Sequence, residues 1–248
     1  MENKERMFHI GLSKSDIEDA KYAILPGDPG RVSKIARMLD SYKPLAVNRE
    51  FTSYLGEING NKVLVISTGI GGPSAAICVE ELYLLGIETI IRVGTSGGMN
   101  QSVNSGDIVI PTSAIRMEGT TKEYVPIEFP AVANIEVLTA LIKSANNLGY
   151  TYHTGIIQSK DSFYGQHKPE TMPLGYELKN KWNAWIKAGC LASDMETAAV
   201  YIVSQIRGIK AGSVLSVIWN QEKEDKTDLD TEKSIKIAVE AIKILMEE

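Results

Sequence analysis

Cysteine and histidine are scarce in this chain of 248 residues, and each shortage removes a class of chemistry. The two cysteines, Cys78 and Cys190, follow no metal-ligand spacing. A disulfide between them is one reading, but with no export signal the expectation is two buried, reduced thiols. The only histidines are His9, His153 and His167, with no His-x-x-x-His spacing, which argues against a zinc site. Aromatic residues make up 7% of the chain, and no apolar run is long enough to span a bilayer. The first eleven residues lack the apolar core of a secretory signal. There is neither a polybasic arm nor an acidic tail, and a formal net charge of -5 argues against a broad nucleic-acid footprint. These absences leave a cytoplasmic protein that acts on small molecules, with no nucleic-acid or membrane partner.

What is present is an ordinary globular composition, 44% hydrophobic and 23% charged, in a chain long enough to bury a full core. Apolar runs predict strands over 21–26, 51–58, 62–67, 89–93, 107–110, 154–158 and 213–218. Helical spacing predicts helices over 31–39, 73–85, 135–148, 176–188, 196–206 and 231–246. Asn59-Gly60 marks a tight hairpin turn between two of the strands. Stretches 119–132, 165–175 and 221–230 are rich in turn-forming or charged residues and carry no clear period. With no linker, repeat or low-complexity segment, the alternation predicts one α/β domain over 1–248 with a mostly parallel or mixed sheet.

Three glycine-rich turns follow directly on buried strands: Gly27-Asp28-Pro29-Gly30-Arg31, Gly69-Ile70-Gly71-Gly72 and Gly94-Thr95-Ser96-Gly97-Gly98. Glycine lets backbone amides approach an anion, and a helix N-terminus adds a favourable dipole. None has the Gly-x-Gly-x-x-Gly or Gly-Lys-[Ser/Thr] order of the nucleotide loops, and one such turn alone is more often structural. Arginines strengthen the case. Arg31 opens a helix, Arg49 lies in Asn48-Arg49-Glu50-Phe51, and Arg92 closes an otherwise apolar strand two positions before Gly94. A charge at the end of a buried strand is costly unless paired, so Arg92 calls for an anionic partner, either a ligand or a structural carboxylate. Ligands in open α/β sheets gather at such strand ends. From local sequence alone, Arg31 and Arg49 read equally as solvated surface.

Five motifs occur in order: Pro26-Gly27-Asp28-Pro29-x-Arg31, Arg49-Glu50-Phe51, Ser67-Thr68-Gly69-Ile70-Gly71-Gly72-Pro73-Ser74, Arg92-x-Gly94-Thr95 and Glu128-Phe129-Pro130-Ala131-Val132. Together they resemble the purine nucleoside and uridine phosphorylase family, over essentially the whole chain from His9 onward. The resemblance implies a mixed sheet closed into a distorted barrel and flanked by helices. It also implies a pentosyltransferase that uses inorganic phosphate as co-substrate and requires no cofactor. It implies a phosphate site from Gly27, Arg31, Arg92 and Thr95, with Arg49 supplied by a neighbouring subunit. Ribose contacts would come from Thr95, Met195 and Glu196, and a 5′-hydroxyl contact from His9 across the same interface. The partners implied are the nucleoside, phosphate and further copies of the chain, as a homodimer or a hexamer. Glu50, Ile70 and Ser74 match positions that hold a monovalent cation, usually potassium.

The chemistry agrees with this reading. Phosphorolysis passes through an oxocarbenium-like sugar, so a site needs a positioned phosphate, a carboxylate on the ribose hydroxyls and donors for the departing base. In Ser193-Asp194-Met195-Glu196-Thr197, Glu196 is the better ribose ligand. Asp194 reads equally as a helix cap, and the family usually carries glutamate there. Met195 is either core or a ribose platform.

For the base, the family's purine branch carries an aspartate on the strand over 213–218, where this chain has Ile218 and no acid. That favours a pyrimidine, with uracil leaving as a delocalised anion. The family's uracil reader is Phe-Tyr-x-Gly-Gln-x-Arg; here it is Phe163-Tyr164-Gly165-Gln166-His167-Lys168, one residue shorter. Phe163 is expected to stack on the base, Gln166 to match its amide-like edge, and Lys168 to replace the arginine as a point charge. The other reading of Lys168 is a solvated loop lysine. Trp219 and Ile218 complete the expected base pocket, and Gln221 replaces a second arginine of the family. The catalytic set is therefore Arg92, Glu196, Gln166 and Lys168, acting on uridine and phosphate. The alternatives are a purine or broad-specificity phosphorylase, a hydrolase of the same superfamily, and a non-catalytic nucleoside-binding protein.

Overall fold

The computed structural model describes residues 6–223, 225–227 and 230–247. A short helix, α1 (Lys14–Ile17), leads into β1 (Tyr22–Pro26). Asp28 then caps α2 (Pro29–Ala36) by accepting from Gly30 N, with Pro29 in the first turn where its missing N–H costs nothing. β2 (Ser41–Asn48), β3 (Phe51–Ile58) and β4 (Asn61–Ile66) form an antiparallel meander. Its Asn59-Gly60 turn has positive φ at both residues, 50° and 79°, the backbone that a two-residue hairpin favours. α3 (Gly72–Leu85) stops at Gly86, which takes the left-handed conformation. There follow β5 (Thr89–Gly98), β6 (Ile108–Met117), β7 (Ala131–Val132), α4 (Ile135–Asn147) and β8 (Tyr152–Lys160). The chain continues with α5 (Phe163–His167), α6 (Gly175–Lys187), β9 (Ala192–Asp194), α7 (Thr197–Arg207), β10 (Lys210–Asn220), β11 (Asp225–Lys226) and α8 (Glu232–Glu247).

Five strands close a mixed barrel. β10 runs parallel to β5 and antiparallel to β6; β8 is parallel to both β6 and β9; and β9 returns antiparallel to β5. β1, β4, β3 and β2 extend from β5 as an open wing. Alternation along the central strands sorts the core into two layers. Ala23, Leu25 and Ile90 pack with Cys78 and Val79 of α3 and with Val200 and Val203 of α7. Ile24, Ile91 and Val93 pack with Val32 of α2, Leu141 of α4 and Ile237 of α8. The expected α/β fold with a distorted barrel between helices is the one observed.

The strands depart from expectation where pairing, not apolarity, makes them. β2 was not anticipated: it is exposed along its first half and carries Pro44, which an edge strand tolerates. β5, β6 and β8 outrun their apolar stretches because ring closure continues their hydrogen bonding as far as Gly98, Met117 and Lys160. Residues 224, 228 and 229 of the unpatterned stretch 221–230 lie outside the described residues.

The feature that matters for the site is a change of partner along one edge of β5. β1 pairs with it as far as Val93, and β9 takes over at Gly97. Residues 94–96 therefore have no strand on that edge, a switch point of the kind where α/β sheets bind ligands. On the opposite edge the β10 register slips between Val217 and Trp219, a bulge that leaves Ile218 as the extra residue.

α4 lies close over β10 because Gly212 has no side chain; a Cβ there would sit 2.6 Å from Val137 Cγ1. Gly212→Val is expected to overpack this layer and destabilise the fold by about 1–3 kcal/mol. The check is a thermal melt, with Tm lowered by roughly 2–4 °C for each kcal/mol.

Candidate active site

The gap beside β5 opens into a cleft of about 620 Å³. At one end, Gly27 and Arg31 from the β1–α2 turn meet Arg92 and Thr95 of β5. Arg92 is 2% exposed. Its Nε donates to Asp194 Oδ2 at 3.2 Å and its Nη2 to Glu196 Oε2 at 2.5 Å, while Nη1 is buried without a partner. Arg31 donates Nη1 to Val93 O at 3.4 Å, and its buried Nε also lacks a hydrogen-bond partner. Burial, then the neighbouring Arg92 charge, pull the Arg31 pKa below its ordinary value. Two buried guanidiniums with donors to spare are chemically suited to an anion.

Asp194 and Glu196 divide the work between them. Asp194 Oδ2 accepts from Thr197 N and Oγ1, capping the start of α7, and Oδ1 accepts from Ser159 Oγ at 2.6 Å. With every oxygen engaged inside the protein, Asp194 is the helix cap and the anchor of Arg92. Glu196 accepts from Gly71 N at 2.7 Å through Oε1 and lines the cleft with Met195. Burial raises the Glu196 pKa, and the Arg92 charge opposes that rise.

The far end of the cleft is built from Phe163, His167, Lys160 and Ile218. The His167 ring lies 4.3 Å from Phe163 and 4.8 Å from Trp219, centroid to centroid, so Trp219 backs the wall instead of facing the cleft. His167 Nδ1 pairs with Gln221 Oε1 at 2.8 Å, which leaves Nε2 free. Burial lowers the His167 pKa, against the hydrogen bond with Gln221. Lys160 is 5% exposed. Its ammonium donates to Ser193 Oγ at 2.7 Å and touches no carboxylate. Burial pulls its pKa down to about 8, against the attraction of Asp194 and Glu196.

Several expectations for the base end are corrected. Lys168 is exposed and lines no part of the cleft; its backbone N–H donates to Tyr164 O and its carbonyl accepts from Thr171 N and Oγ1. His167 lines the cleft at this point of the loop, and Lys168 points away from it. Gln166 lines an adjoining cavity of about 440 Å³ that shares Lys160 and His167 with the cleft. Its Oε1 faces Ser193 Oγ at 3.2 Å, and its Nε2 is buried without a partner. Sequence reasoning missed Lys160 and His167. A lysine that ends an apolar strand in Ile156-Ile157-Gln158-Ser159-Lys160 was the available signal, of the same kind that singled out Arg92.

His9, Arg49 and Ser74 are also outside the cleft. His9 Nδ1 pairs with Glu81 Oε1 at 2.6 Å, and Arg49 is exposed beside the Phe8 ring. Arg49 forms a two-residue turn with Glu50 and holds φ at 54°, a position where glycine is the easy choice. Glu50 and Ile70 line the cleft mouth. Ser74 Oγ donates to Ile70 O at 3.2 Å, and Glu50 packs against Gly69 beside it. These three offer only oxygens, the donor type that suits a hard cation. No cluster of three His, Cys, Asp or Glu suited to a metal occurs among the described residues, nor does a helix long and apolar enough to cross a membrane.

Comparison with known proteins gives this geometry a family. A family model for the phosphorylase superfamily matches residues 21–248. A uridine phosphorylase of Treponema pallidum is 50% identical over 244 residues, 96% of this chain and 94% of the relative. The uridine phosphorylase of Escherichia coli is 40% identical across 98% of this chain and all of its own length. A guanosine phosphorylase of Halorubrum lacusprofundi is 35% identical over 96% of this chain and 98% of its own. The five ordered motifs, the switch point along β5 and these matches across almost the whole chain agree, and the chain belongs to the phosphorylase superfamily.

Proposed function

We propose that the protein is a pentosyltransferase that cleaves uridine with inorganic phosphate to give uracil and ribose 1-phosphate. The observation that carries the reading is the balance of buried charge on the cleft wall. Arg31, Arg92 and Lys160 oppose Asp194 and Glu196, three buried cations to two buried carboxylates; Arg92 Nη1 and Arg31 Nε have no hydrogen-bond partner, the latter lying 3.7 Å from the exposed Asp28 carboxylate. A phosphate on Arg31, Arg92, Thr95 and the Gly27 amide restores the balance, and Glu196 grips the ribose hydroxyls above Met195. A phosphate oxygen then bonds to C1′ as the glycosidic bond breaks. Its electron pair passes to the base, which leaves as the uracil anion.

The base lies against Phe163 and His167, with Ile218 at its edge and Lys160 supplying the positive charge that the leaving anion needs. Ser193 Oγ and the Asp194 carbonyl hold that ammonium in line, with Gln166 Oε1 behind Ser193. Uridine as substrate is supported by the relatives at 40–50% identity, which carry the name uridine phosphorylase. A purine substrate is the second reading, favoured by the guanosine phosphorylase relative. His9 and Arg49, both outside the cleft of their own chain, are proposed to complete the site of a neighbouring copy in a homodimer or hexamer. Glu50, Ile70 and Ser74 are proposed to hold a monovalent cation such as potassium close to that contact. The buried, unpaired Cys78 and Cys190 support a reducing, cytoplasmic setting.

An assay of uridine, thymidine, inosine and guanosine with and without phosphate tests the function. Phosphate-dependent uracil release from uridine is expected to dominate; base release that ignores phosphate, or a preference for guanosine, overturns the reading. Lys160→Met is expected to lower kcat/KM for uridine by about 100-fold or more, the scale for losing one stabilising group in a buried site, while Lys168→Ala leaves it nearly unchanged. Because the lowered Lys160 pKa keeps the cation below about pH 8 and loses it above, kcat/KM is expected to fall as pH rises through about 8. Arg49→Gly is expected to relieve a strained turn, leaving Tm unchanged or higher, while KM for phosphate rises. A fall in Tm with an unchanged phosphate KM would remove Arg49 from the site.

A further inference from the structure

Arg116, on β6, is buried at 7% exposure and has no carboxylate among its hydrogen-bond partners. It spends its guanidinium on one loop. Nε donates to Thr121 Oγ1, Nη1 to the carbonyls of Pro126 and Phe129, and Nη2 to those of Thr121 and Val125, all within 2.9 Å. Thr121 is itself clamped by Glu118, whose carboxylate accepts from both its N–H and its hydroxyl. A guanidinium with every donor directed into one loop fixes that loop as a rigid body.

The clamped residue that faces the catalytic elements is Thr120. It rests on Gly72, the first residue of α3. A Cβ on Gly72 would lie 2.7 Å from Thr120 Oγ1 and 3.7 Å from the Cβ of Ala199 in α7. Thr120 therefore sits in a seat between the starts of α3 and α7 that only glycine leaves open. Those two starts carry the two ends of one bond, from Gly71 N to Glu196 Oε1.

We propose that Arg116 is a positioning residue for Glu196. By holding Thr120 against Gly72, it sets the spacing between the N-terminal turns of α3 and α7 and so the alignment of the Glu196 carboxylate with the ribose. This rests on the sugar-binding role given to Glu196 above. Arg31 stands on the β1–α2 turn, and Arg92, although it touches Glu196, is held by Asp194 as well, so the phosphate end depends less on the clamp than the ribose end does.

The test separates the two ends of the site. Arg116→Lys keeps the charge and offers three donors in place of five. Gly72→Ala disturbs the seat while leaving Arg116 intact, and it also serves if Arg116→Lys folds poorly. Steady-state kinetics with uridine and phosphate varied separately, on protein whose folded fraction is measured by circular dichroism, are expected to show KM for uridine raised and kcat/KM for uridine lowered by about 10- to 100-fold. KM for phosphate rises by a smaller factor than KM for uridine, and the double variant is no worse than the poorer single one. The proposal is overturned if both KM values rise by the same factor, if the loss only tracks the folded fraction, or if the two changes add independently. Failure of the unaltered enzyme to release uracil with phosphate would instead overturn the functional reading.

Discussion

Arg92 is a charged side chain at 2% exposure, and removing such a group from water costs several kcal/mol unless opposite charges and hydrogen bonds return it. Asp194 and Glu196 supply that return, and both stand at the junction of β9 with α7. β9 is only three residues long, yet it must pair with β8 on one side and with the end of β5 on the other to bring the carboxylates within reach. Closure of the barrel and neutralisation of Arg92 are thus one constraint. Without β9 the ring stays open and the guanidinium has no counter-charge. With β9 in place, the residues between its contact and that of β1 are left free for substrate.

The two carboxylates look interchangeable in sequence but differ in what their neighbours demand. Asp194 is consumed by Thr197, Ser159 and Arg92, so its shorter side chain suits an internal anchor. Glu196, one methylene longer and two residues on, reaches the cleft while Gly71 N steadies one oxygen. The assembly is expensive to break at one point, because removing a single partner leaves the others buried and unpaired.

At the base end, His167 lines the cleft and Lys168 faces water. The buried cation on that wall is Lys160 at the end of β8, where its charge acts through little intervening water. Gln221 takes part by orienting His167. The three departures from the family pattern that stood out as separate defects are parts of one rearranged pocket.

Local chemistry made much of this legible. The glycine turns, the Asn59-Gly60 hairpin, the helix caps and the expense of Arg92 are decided by residues within a few positions of one another, so they could be read from the sequence. The phosphate end followed, because its glycines and arginines lie in compact motifs. Tertiary structure decided the rest. Arg92 meets Glu196 across 104 positions, and Lys160 meets Ser193 across 33. Whether a strand-ending lysine faces a cleft or water depends on which strand pairs beside it, and no local pattern encodes that. The bulge that leaves Ile218 as the extra residue arises only when β10 pairs beside β5. The sequence alone therefore determined the glycine turns and the arginines beside them; the closed barrel determined which cations share the cleft wall, because that depends on which strands pair.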